Sequence, residues 1–205
     1  MEQTNSEQMN KEQTMGNQVL PEKKKLHQYQ ILLWAGIGSI IMAFAGLTSA
    51  YIVKKSQANW LEFDLPKLFW FSTAVILISS FTIQMALKKY KEGQLNQYQG
   101  FLLLTAILGV AFLIFQIQGF KELEASNIAL VGPRSNSAGS FLLVITGFHM
   151  LHMVGGVIAL ILIAFRAYFS KNKTFNALPV ELVSTYWHFV DILWIYLFVF
   201  LNWVG

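Results

Sequence analysis

Long apolar runs alternate with short polar clusters along most of the chain. Five runs stand out, over residues 31–53, 68–87, 100–120, 140–165 and 182–204. Each is long enough to cross about 30 Å of hydrocarbon at about 1.5 Å of helical rise per residue. Lys54 and Lys55 close the first run, and Lys88 and Lys89 close the second. A membrane β-barrel needs strands of about ten strictly alternating residues, and none of the runs alternates. The pattern therefore predicts an all-α polytopic membrane protein, a bundle of five transmembrane helices over residues 28–205. Residues 1–27 are polar, rich in Gln, Asn, Glu and Lys, and predict a disordered cytoplasmic tail. They lack the short apolar core and small-residue cleavage site of a signal peptide, which leaves the first span as the targeting signal. The longest connection, 121–139, carries Gly132-Pro133-Arg134 and reads as an external turn. No repeat of the kind that marks secondary transporters is visible.

Composition agrees with this pattern. Charged residues make up 13% of the chain, against about 25% in a soluble domain. The absence of cysteine excludes disulfides, iron–sulfur clusters and thiolate metal sites on this chain. A net charge of +4 would suggest nucleic acid in a soluble protein; here the basic residues flank spans, and no nucleic-acid partner is expected. Ten of the fifteen Lys and Arg residues fall in the tail and the loops after the second and fourth helices. That bias predicts the N-terminus inside and the C-terminus outside. Aromatic residues near the boundaries fit the same orientation, with Trp34 and Tyr98 inside and Tyr51, Trp70 and Trp203 outside.

Ionisable residues within a span are costly and are usually paired or functional. Of eleven acidic residues only Asp191 lies deep in a predicted helix, and no Lys or Arg does. Three of the four histidines, His149, His152 and His188, are also inside. His149 and His152 share one helical face, and His188 and Asp191 repeat the i, i+3 spacing on the next helix. A His–Asp contact between the fourth and fifth helices is the natural expectation. Three roles compete: a polar lock that fixes helix register, ligation of a haem, and a route for protons or ions. A bis-His haem needs matched depths, but the spacing puts His188 about 8 Å inward of the midplane and His149 about 5 Å outward.

Other residues carry weaker expectations. Gly147, Gly155, Gly156 and Ala159 would let the fourth helix approach a neighbour closely, and Gly36, Gly38, Ala43, Gly46 and Ala50 would do so on the first. Gln84, Gln116 and Gln118 suit interhelical hydrogen bonds, and the scattered Met42, Met85, Met150 and Met153 suit space-filling rather than copper. Glu181 follows Pro179 at the entry to the fifth helix, where the helix dipole favours a negative charge.

Two motifs then point to a family. Thr146-Gly147-Phe148-His149-Met150-Leu151-His152 resembles the T-G-F-H-G-x-H segment of subunit III of the haem–copper oxidases. Tyr186-Trp187-His188-Phe189-Val190-Asp191-Ile192-Leu193-Trp194 resembles that family's Y-W-H-F-V-D-x-x-W segment. Weaker likeness reaches through Glu92-Gly93 and Gly46-Leu47-Thr48-Ser49-Ala50-Tyr51, so the resemblance spans residues 28–205. Five helices match the short bacterial form, since longer members carry two more at the N-terminus. Two departures stand out. Ile40 occupies the position of a membrane-embedded glutamate of longer members, and Gln116-Ile117-Gln118-Gly119-Phe120 replaces the family's Q-x-x-E-Y/W.

The resemblance implies a non-catalytic subunit of a proton-pumping terminal oxidase in a bacterial inner membrane. It implies no haem or copper on this chain, the redox centres lying on subunits I and II. It also implies packing on subunit I, bound phospholipid, and support of proton uptake and turnover. His149, His152, Trp187, His188 and Asp191 would then form the polar lock and family motif, with Gly147, Gly155, Gly156, Gln116 and Glu181 as lipid or helix contacts. Cytochrome c and quinol oxidases differ mainly in subunit II, so a quinol oxidase subunit III is the nearest alternative. An accessory protein of nitric oxide reductase is another.

Overall fold

A computed structural model describes residues 28–56, 60, 65–126, 128, 130–132, 136–169 and 178–204. The tail expected over 1–27, and Pro133-Arg134 of the expected turn, lie outside these residues. Among the described residues the chain forms five helices: α1 (Gln28–Lys55), α2 (Lys67–Lys91), α3 (Leu95–Ala125), α4 (Ser137–Phe169) and α5 (Leu178–Val204). All five are long and apolar enough to cross a membrane. Each extends past its apolar run, because hydropathy marks the hydrocarbon while backbone hydrogen bonding continues into the interface. Pro179 falls in the first turn of α5, where its missing N–H breaks no intrahelical bond.

The ends are built by local chemistry. Asn136 caps α4 by accepting from the Ala138 N–H at 2.9 Å. Between α2 and α3 the chain reverses in a Schellman motif: Gly93 N–H donates to the Tyr90 carbonyl and Gln94 N–H to that of Lys89, both at 3.0 Å. The motif needs a left-handed residue, which Gly93 supplies with φ of 74°. Lys89 donates to Glu92 at 2.9 Å beside this turn and holds its carboxyl below the usual range.

Helices α2, α3, α4 and α5 close into a ring in which each packs on the next, and α5 returns to α2. Helix α1 lies outside this ring and, among the described helices, packs on α4 and α5. Its buried residues, Ile37, Phe44, Thr48 and Tyr51, form a single stripe at helical spacing. Trp187 and Trp194 of α5, both fully buried, fill the centre of the ring. Directions alternate. The ends of α2 and the start of α5 meet at Lys91 and Glu181, 3.2 Å apart. At the opposite end Lys55 of α1 donates to the Val204 carbonyl of α5 at 2.6 Å.

Candidate functional site

Water-driven burial does not hold helices together in lipid; close packing and interhelical hydrogen bonds do. Both converge on α5. Toward α2 the contacts are polar. Trp187 Nε1 donates to Ser79 Oγ at 2.9 Å, and Trp194 Nε1 donates to Thr73 Oγ1 at 3.0 Å. His188 Nδ1 lies 2.7 Å from Ser80 Oγ, and its Nε2 lies 3.2 Å from Gln84 Oε1. Seven residues separate Trp187 from Trp194, so the two indoles meet hydroxyls two helical turns apart.

Toward α3 and α4 the contacts of α5 are mainly steric, with one hydrogen bond from Tyr186. The Trp187 ring lies over two glycines. A Cβ at Gly109 of α3 would stand 2.7 Å from its Cη2, and one at Gly156 of α4 would stand 3.0 Å from its Cζ3. Trp194 packs edge-on against Phe112 and tilts against His149, each with centroids 5.1 Å apart. Tyr186 Oη donates to the His152 carbonyl at 3.1 Å.

The histidines of α4 differ in setting. His149 is fully buried among Phe44, Phe112 and Trp194, and neither ring nitrogen has a hydrogen-bond partner among the described residues. His152 is half-buried, packs edge-on against Phe44, and its Nδ1 lies 2.7 Å from the Phe148 carbonyl one turn back. Asp191 is buried on α5. The Ser80 hydroxyl adjoins its carboxyl but is directed at His188, and neither carboxyl oxygen has a hydrogen-bond partner among the described residues.

Two expectations are corrected. The His–Asp contact between α4 and α5 does not form. Trp187, His188 and Trp194 of α5 find their partners on α2 instead, because these side chains point their hydrogen-bonding atoms at the hydroxyl stripe there. Of the glycines expected to bring α4 close, only Gly156 meets a neighbour. Gly147 and Gly155 face open space, as do Gly36, Gly38 and Gly46 of α1. Gly155 and Gly156 are adjacent, so about 100° of helical rotation sends one inward and the other out.

Gln116 is buried and donates to Ser72 Oγ at 2.9 Å, tying α3 to α2. Glu181, in the first turn of α5, pairs with Lys91. The residues missed by the sequence reading are the hydroxyls of α2 and Gly109. Their signal was present in Ser72-Thr73, Ser79-Ser80 and Thr82, which recur about every seven residues within an apolar span. Among the described residues no group of three or more His, Cys, Asp or Glu could hold a metal ion.

The decisive observation is a match to a whole family. The family model described as Cytochrome c oxidase subunit III matches residues 56–205, which include α2 to α5 and both sequence motifs. The chain belongs to the cytochrome c oxidase subunit III family. It is 37% identical over 175 residues to a probable cytochrome c oxidase subunit 3 of Nocardia farcinica, covering 82% of each chain. Identity to the cytochrome c oxidase subunit 3 of Synechocystis is 30% over 189 residues, covering 85% of this chain and 74% of that one. The corresponding protein of Corynebacterium diphtheriae is 29% identical over 167 residues. The family match covers the whole four-helix ring. Helix α1 precedes the matched residues and is also the helix outside the ring.

Proposed function

We propose that this chain is the non-catalytic subunit III of a proton-pumping haem–copper terminal oxidase, a cytochrome c oxidase of the aerobic respiratory chain. The observation that carries the reading is the relationship to subunit 3 proteins over four-fifths of both chains. The internal arrangement supports it. Trp187, His188, Trp194 and Gln116 of the ring are spent on joining helices to one another, which suits a subunit whose task is to hold shape within a larger complex. Haem and copper would sit on the partner subunits, with subunit I as the direct neighbour.

The outward faces offer what such a neighbour and the surrounding lipid require. Apolar grooves run between α3 and α4, lined by Leu103, Ala106, Ile161 and Phe165, and between α1 and α5, lined by Leu33, Ile40, Leu182 and Tyr186. They suit phospholipid chains. Following the basic-residue bias, the N-terminus is cytoplasmic and the C-terminus lies on the outer side of a bacterial plasma membrane.

Affinity purification through a tag on this chain tests the reading. The expected result is co-elution with a haem- and copper-containing subunit I. Elution alone, or with a quinol oxidase or a nitric oxide reductase, would replace it. Asp191→Ala is expected to loosen assembly or shorten turnover while leaving the haem spectrum of subunit I intact. Loss of one whole haem from that spectrum would show a cofactor role on this chain.

A further inference from the structure

Helices α1 and α2 do not touch; α5 lies between them and floors a cleft of about 320 Å³. The cleft opens at the end of the bundle where Lys91 and Glu181 pair. Its lining is mostly polar on the α2 and α5 sides: Gln84, Glu181, Ser184, Thr185 and His188, with Gln30 from α1. The other grooves described above are lined by apolar side chains. Acyl chains cannot satisfy polar groups at membrane depth, whereas water can. The volume accommodates on the order of ten waters at about 30 Å³ each.

The deepest polar lining residue is His188. Behind it stands a line of groups that can each give and take a proton. His188 Nδ1 is 2.7 Å from Ser80 Oγ, and Ser80 adjoins the buried carboxyl of Asp191. That carboxyl is 1% exposed and has no hydrogen-bond partner among the described residues. Other groups near the line are few. Lys91 of α2 and Glu181 of α5 stand at the mouth, and the α1 side of the cleft carries Gln30, Leu33 and Trp34, none of them charged.

We propose that this cleft is a water inlet open to one face of the membrane, and that His188 and Ser80 pass protons between its water and the carboxyl of Asp191. In the tautomer whose Nε2–H donates toward Gln84, His188 Nδ1 accepts from the Ser80 hydroxyl. A rotation of the protonated Asp191 side chain brings its carboxyl, unbonded in the resting arrangement, within reach of the Ser80 oxygen. Its O–H then donates there, Ser80 passes its own proton to His188 Nδ1, and the Nε2 proton leaves to cleft water. Each intermediate group gains one proton and releases one. Asp191 ends as the carboxylate, the water as hydronium, and His188 as the opposite tautomer. The reverse sequence reloads the carboxyl. The inlet rests on membrane insertion and on the cleft itself, whichever oxidase the chain serves. In the orientation proposed above it faces the cytoplasm.

The absence of native cysteine makes the inlet directly testable. Leu87→Cys and Thr185→Cys line the cleft, and Ile192→Cys on the outward face of α5 is the control, its side chain 65% exposed. Spheroplasts and inverted membrane vesicles carrying the full complex are treated with a charged, membrane-impermeant methanethiosulfonate, and the mass of this chain is read. Because only a hydrated thiolate reacts, the two cleft positions should label at least roughly tenfold faster than the control, and from one face only. Labelling no faster than the control, as a lipid-filled cleft gives, or equal labelling from both faces, overturns the inlet.

Infrared spectroscopy tests the relay. Asp191→Asn identifies the carboxylic C=O band, and its H/D exchange is timed in D2O. Ser80→Ala and His188→Gln should each slow that exchange roughly tenfold or more, since each removes a group that can both give and take a proton. Unchanged exchange in both variants overturns the relay. So does the absence of any Asp191-dependent carboxylic band between about pH 5 and pH 9, a window spanning the usual perturbation of buried carboxyls.

Discussion

The two sides of α5 solve the same problem by different means. Toward α2 it uses hydrogen bonds from Trp187, His188 and Trp194 to hydroxyls. Toward α3 and α4 it relies mainly on the absence of side chains, at Gly109 and Gly156, with a single hydrogen bond from Tyr186 to α4. One indole serves both: Trp187 donates on one side while its six-membered ring presses into two glycines on the other. A hydrogen bond across membrane helices contributes on the order of 0.6 kcal/mol, so the polar side sets register more than it supplies stability. The packed side tolerates no added atom, and stability should be most sensitive there.

Substitutions separate the two sides, beginning with the residue that joins them. Trp187→Ala removes both the indole donor and the packed ring, and should cost about 3–5 kcal/mol. Melting of the purified complex, or loss of this chain during detergent extraction, would register it. Next, Gly109→Ala should cost about 1–3 kcal/mol, since the new methyl meets the Trp187 ring and Val157 Cγ2, both buried. Trp194→Phe keeps most of the ring volume but loses the bond to Thr73, and a drop of about 0.5–1 kcal/mol is expected in the same assay. If Trp194→Phe proves as damaging as Gly109→Ala, the division of labour argued for α5 is wrong. The smallest effect belongs to Gly155→Ala, which adds a methyl into open space and should change stability by less than about 0.5 kcal/mol. A larger loss there would locate a partner helix on that face of α4.

Helix count, helix type and the concentration of ionisable groups on α4 and α5 were all legible before any coordinates. Each depends on one-dimensional quantities: the length of an apolar run and the residues that interrupt it. The partner of each group was not legible. Helical spacing places His149 with His152 and His188 with Asp191 on common faces, but it does not say which neighbouring helix each face meets. The sequence also led attention to costly residues and away from cheap ones. Ser79, Ser80 and Thr73 are common in spans and satisfy themselves on their own helix when idle, so nothing in their chemistry announces a partner. The same limit applies to glycine. Gly155 and Gly156 read alike in a sequence, yet one accepts Trp187 and the other faces outward.

The sequence by itself thus determined a five-span all-helical membrane protein and, through two motifs, its family. Those outcomes follow from hydrophobic length and residue identity, which need no neighbour to be defined. Only the tertiary structure decided that α2 to α5 close into a ring with α1 outside it, and that Trp187, His188 and Trp194 of α5 bond to α2 rather than to the histidine side chains of α4. It also set the polar cleft between two helices that never touch. The reason is physical: in lipid, helix partners are chosen by shape and by the geometry of a few hydrogen bonds, and both belong to pairs of surfaces rather than to any one segment of the chain.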